Sequence, residues 1–178
     1  MTRVFKKVWN LITSVLVSLV VLLAIALVGV RFIGLRTYVV LSGSMEPLYP
    51  TGSLIYVKEV DTNQLKAGDV ITFMIDEDTI ATHRIIEVLP DEQDSSVVRF
   101  RTQGDANDSP DGSPVHYKNV IGSPIFCVPY LGYVANFIQN PPGRYLSIGF
   151  GAILLVLVFL PDLLGEDEDK KKKDKVKE

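Results

Sequence analysis

From Leu11 to Val30 the chain runs for twenty residues without a charge. At ~1.5 Å of rise per helical residue, that length crosses the ~30 Å hydrocarbon core of a bilayer, which predicts a transmembrane helix. Arg3, Lys6 and Lys7 precede the run and Ala24-Ile25-Ala26 lies within it, the pattern of a cleaved secretory leader. Leu27 to Val30 stay apolar past that point, however, where a cleavable segment turns polar and extended, so the reading adopted is an uncleaved anchor. A second charge-free run, Tyr145 to Leu160, is shorter and needs part of Pro161 to Leu164, or a locally thinned bilayer, to span.

Lysines Lys170 to Lys173, Lys175 and Lys177 follow the second run, and basic residues flanking both runs place both termini in the cytoplasm. The expected organisation is a cytoplasmic N-terminus over 1–10, a transmembrane helix over 11–33, an extracytoplasmic domain over 34–143, a second transmembrane helix over 144–164 and a charged tail over 165–178. Thr37 to Gly143 carries fourteen acidic and six basic residues, a net charge of −8. Such a surface repels phosphate backbones, which excludes nucleic acid as a partner. The single cysteine, Cys127, forms no intrachain disulfide, and with only two histidines there is no Cys/His cluster for a metal. The tail from Glu166, EDEDKKKKDKVKE, reads as a solvated, disordered block suited to topology and to lipid headgroups.

The outer segment reads as short strands: Thr37 to Leu41, Ser53 to Val60, Val70 to Ile75, Ile80 to Val88 and Ser96 to Thr102 are rich in β-branched and aromatic residues and are separated by turn-forming residues. No amphipathic helix intervenes, so the fold class is mostly β, a compact antiparallel domain following a transmembrane helix. Ile125 to Ile138, with Tyr130, Tyr133 and Phe137, has three readings: a last strand, a helix before the membrane, or an aromatic surface at the bilayer interface.

Chemistry is concentrated in a few positions. Ser44 lies between a glycine and a methionine, ahead of Pro47, on a backbone path that can expose its hydroxyl, yet on spacing alone it is a polar turn residue. His83 shares a strand face with Ala81 and Ile85, opposite Thr82 and Arg84, and taken singly is a structural histidine. His116 reads as an exposed surface residue. Asp105, Asp108 and Asp111 fall in the loop GDANDSPDG, where aspartates cap turns.

Together these residues carry a resemblance. SGSMEP at 42–47, GDVITF at 68–73, HR at 83–84 and GDAND at 104–108 occur in the order and approximate spacing of the type I signal peptidases. The resemblance covers Val39 to Val128 plus the anchor and is closest to the ER-type branch, whose general base is histidine. Most bacterial and organellar relatives carry a lysine where this chain has His83; Lys58 and Lys66 lie too far upstream to substitute. Glu46 is also typical of the histidine branch, whereas Leu48-Tyr49-Pro50 departs from the family, in which a threonine often follows the motif's proline.

The resemblance implies that Ser44 is the nucleophile and His83 the base, with an oxyanion hole made by the Ser42 hydroxyl and the Ser44 backbone N–H. Asp111 resembles the triad acid, and Asp105 a support for its loop or an alternative acid. It further implies a membrane-bound serine endopeptidase without a cofactor that removes signal peptides from secretory preproteins by an acyl-enzyme route. Small substrate side chains one and three positions before the cut would suit an extended peptide added to a strand edge, expected at Tyr38 to Ser42 and near Ile71 to Met74. The lipid bilayer is a partner and the secretion translocon a candidate one. Two spans and a cytoplasmic tail favour a prokaryotic plasma membrane. The alternative is a catalytically silent β module, a peptide-binding or pilus-assembly adaptor.

Overall fold

The structure, a computed structural model, describes residues 3–91 and 97–174. The chain folds as two units, residues 29–136 and residues 1–28 with 137–178.

In the first unit, β1 (Leu35–Val39), β2 (Leu54–Lys58), β3 (Val70–Met74), β4 (Ile80–Pro90), β5 (Val98–Gln103), β6 (Val115–His116) and β7 (Val120–Val128) form one sheet in the order β1-β2-β7-β3-β4-β5-β6. Every pairing is antiparallel. The mostly β expectation therefore holds. Alternation along the strands sends Ile71, Phe73, Ile85, Phe100 and Val115 into one buried cluster, closed by Leu65, Ala81, Val98, Tyr117 and Val120. Each large apolar side chain so buried contributes about 1.5–3 kcal/mol. His83 pairs with Ile71 across β3 and β4, which carries the imidazole to the border of this core face.

Leu54 to Val57 of β2 are buried in succession rather than alternately, because the strand is covered on both faces. The start of α2 (Leu131–Gln139) supplies cover at the preceding turn. Gly52 there has φ +82°, and a Cβ on it would stand 2.0 Å from the Tyr133 ring, so glycine is needed for conformation and for room. The segment 125–138 thus divides, its first residues completing β7 and its last forming α2.

The second unit contains α1 (Arg3–Leu27) and α3 (Gly143–Asp174). Among the described residues, the helix from Lys7 to Leu27 is by itself long and apolar enough to cross a membrane. Helix α1 stops at Leu27, and Gly29–Ile33 makes a 3-10 turn. The Trp9 indole N–H donates to the Leu157 carbonyl of α3 at 3.1 Å. That carbonyl lacks its usual intrahelical donor, since the residue four positions on is Pro161. Helix α3 continues through Asp174, although the sequence there reads as a disordered tail. Glu166, Asp167, Glu168 and Asp169 each stand four residues ahead of a lysine, the order that supports a helix.

Candidate active site

Ser44 stands on the turn that follows β1. The turn is closed by Glu46 N–H donating to Gly43 O at 3.0 Å and Tyr49 N–H to Met45 O at 3.0 Å. Met45, 2% exposed, anchors it in the interior, and the Glu46 carboxylate accepts from the backbone and hydroxyl of Thr51. A second loop, between β5 and β6, backs onto the first: Ala106 N–H donates to Ser44 O at 2.9 Å, and Gly104 lies directly behind Ser44.

The Ser44 hydroxyl is 3.1 Å from His83 Nε2, and His83 Nδ1 is 2.6 Å from Asp111 Oδ2. An ionised carboxylate only accepts, so Nδ1 carries the proton and Nε2 of the neutral ring offers its lone pair to the serine O–H. Phe73 meets the imidazole edge-on, with ring centroids 6.2 Å apart. The side chains of His83 and Asp111 are 12% and 23% exposed, which limits water while leaving Ser44 reachable. The Ser42 hydroxyl lies 3.2 Å from that of Ser44. If Ser44 donates to His83, Ser42 donates to Ser44. The arrangement can activate a hydroxyl as a nucleophile and hold the proton it releases.

Asp105 has a different partner. Its two oxygens take Nε and Nη2 of Arg84 at 2.8 and 2.6 Å, and Arg84 Nη1 donates to Gly68 O at 2.8 Å. The Arg84 hydrogen bonds and charge hold the Asp105 carboxyl below the usual carboxylate range and raise the guanidinium. Asp105 is therefore an ion-pair residue rather than a side-chain cap of its own turn. Burial is the main reason that the Tyr49 phenol beside this pair is pushed up, with smaller contributions from Cys127 and Asp105. Asp108 is exposed. His116 is half-buried on β6 and accepts from Lys118 N–H at 3.2 Å, so the expectation of an exposed surface residue is corrected.

Sequence reasoning passed over Thr102 and Gly104. The Thr102 hydroxyl donates to Asp111 Oδ2 at 2.6 Å, but nothing in SVVRFRT marks the threonine as more than a strand residue. Gly104 belongs to a motif glycine, a signal that was present without its reason. Of the two expected strand edges, β1 ends the sheet and is free on one side, whereas β3 is interior, because Thr72 and Phe73 pair with β7 as well as β4. A cavity of about 550 Å³ reaches Arg84 but includes none of Ser44, His83 and Asp111. The Ser44 hydroxyl thus follows the edge strand β1 and lies outside that cavity.

The family described as signal peptidase, peptidase S26, matches residues 12–124, more than half of the chain. Signal peptidase I W of Bacillus subtilis (strain 168) is 39% identical over 123 residues, covering 65% of this chain and 63% of the relative. The signal peptidase complex catalytic subunit SEC11C is 31% identical over 128 residues in Rattus norvegicus, covering 66% of each chain. The Homo sapiens protein of that name is 31% identical over 112 residues, covering 58% of this chain and 57% of the relative. The matched stretch thus spans less than two thirds of each of these relatives. Its extent takes in Ser44, His83 and Asp111, and by that match the chain belongs to the peptidase S26 family of signal peptidases.

Proposed function

We propose that the chain is a membrane-anchored serine endopeptidase that cleaves signal peptides from exported preproteins. The observation that carries this reading is the linked pair of contacts from Ser44 Oγ to His83 Nε2 and from His83 Nδ1 to Asp111 Oδ2. Peptide binding alone requires no such linkage. Membership in the family and the similarity to relatives named signal peptidases support the choice of substrate.

Ser44 Oγ attacks the carbonyl carbon before the cut while its proton passes to Nε2, and Asp111 stabilises the imidazolium. The Ser42 hydroxyl and the Ser44 N–H receive the oxyanion. Collapse of the tetrahedral intermediate breaks the C–N bond, and the departing amine, the new N-terminus of the mature protein, takes the proton from Nε2. Water then gives a proton to Nε2 as it attacks the ester, and collapse of this second intermediate breaks the C–Oγ bond and passes that proton from Nε2 to Ser44 Oγ, so the signal peptide leaves with a free carboxyl terminus and the serine is restored.

The membrane is part of this chemistry. A signal peptide keeps its apolar part in the bilayer while its cleavage site emerges at the surface, and Ser44 follows the first apolar run by fourteen residues. The basic residues flanking the two runs support a two-span topology with both termini in the cytoplasm and residues 34–143 outside the plasma membrane. Substrates would then arrive from the translocon.

The test is cleavage of a fluorogenic signal-peptide substrate by the full chain in detergent, with fluorophosphonate labelling of Ser44 alongside. Both should occur in the wild type and vanish in Ser44→Ala. A well-folded wild type that neither cleaves nor labels would overturn the enzyme reading in favour of a silent peptide-binding module.

A further inference from the structure

We propose that Thr102 is a positioning residue for the reaction: its buried hydroxyl holds Asp111 Oδ2 against His83 and thereby sets the efficiency of the serine-to-histidine proton transfer. This rests on the peptidase reading above.

Asp111 sits in the irregular segment between β5 and β6, where a carboxylate would ordinarily be free to turn. Two bonds tie it to a single residue of the sheet. Asp111 N–H donates to Thr102 O at 2.8 Å, and Thr102 Oγ1–H donates to Asp111 Oδ2 at 2.6 Å. Thr102 itself is rigidly placed. It lies on β5, pairs with Ile85 of β4, and is 0% exposed, as are Ile85 and Phe100.

A hydroxyl in such surroundings is costly unless it is bonded, and valine would fill the same volume on a strand without that cost. Among the described residues, the Thr102 hydroxyl has one hydrogen-bond partner, Asp111. Its geometry is useful there because the oxygen that receives Thr102 O–H is also the one that receives His83 Nδ1–H. With Oδ2 fixed from the core side, Nδ1–H keeps its acceptor, the tautomer is set, and the Nε2 lone pair remains aimed at Ser44.

Among the described residues, no charged side chain duplicates this contact. Arg84 points to the opposite face of β4 and binds Asp105. Ile71 and Phe73 of β3 and Gln103 of β5 are uncharged.

The experiment compares Thr102→Val and Thr102→Ser in the full chain. The first removes the donor with little change of shape, and the second keeps it. Thr102→Val should lower kcat by about 10- to 100-fold, as expected for a lost hydrogen bond to a charged group, with KM unchanged, and Thr102→Ser should recover most of the rate. The second readout needs no substrate. The short Nδ1–H bond gives a low-field proton resonance, assignable because the chain has two histidines and His116→Gln removes the other. That resonance should shift or broaden away in Thr102→Val and persist in Thr102→Ser. If Thr102→Val does not fold, Thr102→Ala set against Thr102→Ser isolates the hydroxyl instead, both lacking the methyl. A Thr102→Val protein with wild-type kcat and an unchanged resonance overturns the proposal. So does lowered thermal stability with the resonance intact, which would make Thr102 a packing residue. Absence of cleavage by the wild type would overturn the peptidase reading, while the resonance would still decide whether Thr102 holds the pair.

Discussion

Gly104 and Ser44 are in such close apposition that a Cβ on Gly104 would stand 2.5 Å from the Ser44 carbonyl oxygen and 3.0 Å from the Ser44 Cβ. Backbone cannot yield as a flexible side-chain end can, so Gly104→Ala must push the serine turn away from His83. Misplacement by about 1 Å can cost ~10²-fold in rate. Gly104→Ala should therefore lower kcat by roughly that factor while the sheet stays folded, checked by kinetics together with circular dichroism. Wild-type kcat would show that the two loops move as one.

The site predicts different fates for its two aspartates. Asp111→Asn keeps the side-chain shape but loses the charge facing Nδ1 and offers an amide N–H that favours the wrong tautomer. Activity should fall by up to ~10⁴-fold in a folded protein, as in the corresponding substitution of a serine protease triad. Substantial activity in Asp111→Asn would remove Asp111 from the relay.

Asp105 should instead report through stability. Its pairing with Arg84 holds the carboxyl below its ordinary range, so the contribution is fully present above the unfolded-state value and is lost as pH falls through the lowered folded value. The pair is partly solvated, and exposed pairs are worth at most about 1 kcal/mol. Asp105→Asn should lower the thermal midpoint slightly at neutral pH, and the difference from wild type should close under acid conditions. Considerable kcat should remain. A collapse of kcat in a stable Asp105→Asn protein would place both carboxylates in one catalytic network.

What could be read in the sequence depended on the range of the forces involved. The apolar run within α1 and the β-rich stretches of β3, β4 and β5 are local patterns; the strands are legible to within a few residues, whereas α1 spans Arg3–Leu27 against an expected helix over 11–33. Of strand β7 (Val120–Val128) the sequence offers only the end, as one of three readings of Ile125 to Ile138. In the sheet, Pro124 falls beside a register shift between Tyr56 and Val57, where a missing N–H is tolerated. Motif order singles out Ser44, His83 and Asp111, and the fold brings the three side chains together. The choice between Asp111 and Asp105 turns on which carboxylate meets Arg84, a pairing across 21 positions that charge alone does not reveal. Thr102 was illegible for the same reason, since its role exists only once β5 and the following loop have folded against each other.

Ser42 provides a test of charge stabilisation. Its hydroxyl lies 3.2 Å from the Ser44 hydroxyl, the atom that attacks in the proposed reaction. Loss of one such donor costs ~10²-fold in kcat in other hydrolases. Ser42→Ala should show that loss with KM nearly unchanged. A change in KM alone would make Ser42 a substrate-binding residue.

In the helical unit, Trp9 and Pro161 make a testable pair. Pro161 has no N–H to give to Leu157 O, and the Trp9 indole donates to that oxygen at 3.1 Å. On the two-span topology proposed above, water cannot take the place of the donor, and interhelical hydrogen bonds in bilayers average ~0.6 kcal/mol, reaching about 2. Trp9→Phe keeps an aromatic ring without the donor and should destabilise the unit by about 1 kcal/mol. Pro161→Ala returns an N–H four residues after Leu157, so the carbonyl regains an intrahelical partner and the indole becomes redundant. In a double-mutant cycle read by denaturant titration in micelles, Trp9→Phe should therefore cost clearly less in the Pro161→Ala background than in the wild type. Equal costs in both backgrounds would mean that Trp9 acts by packing, and that the carbonyl freed by Pro161 is not what the indole serves.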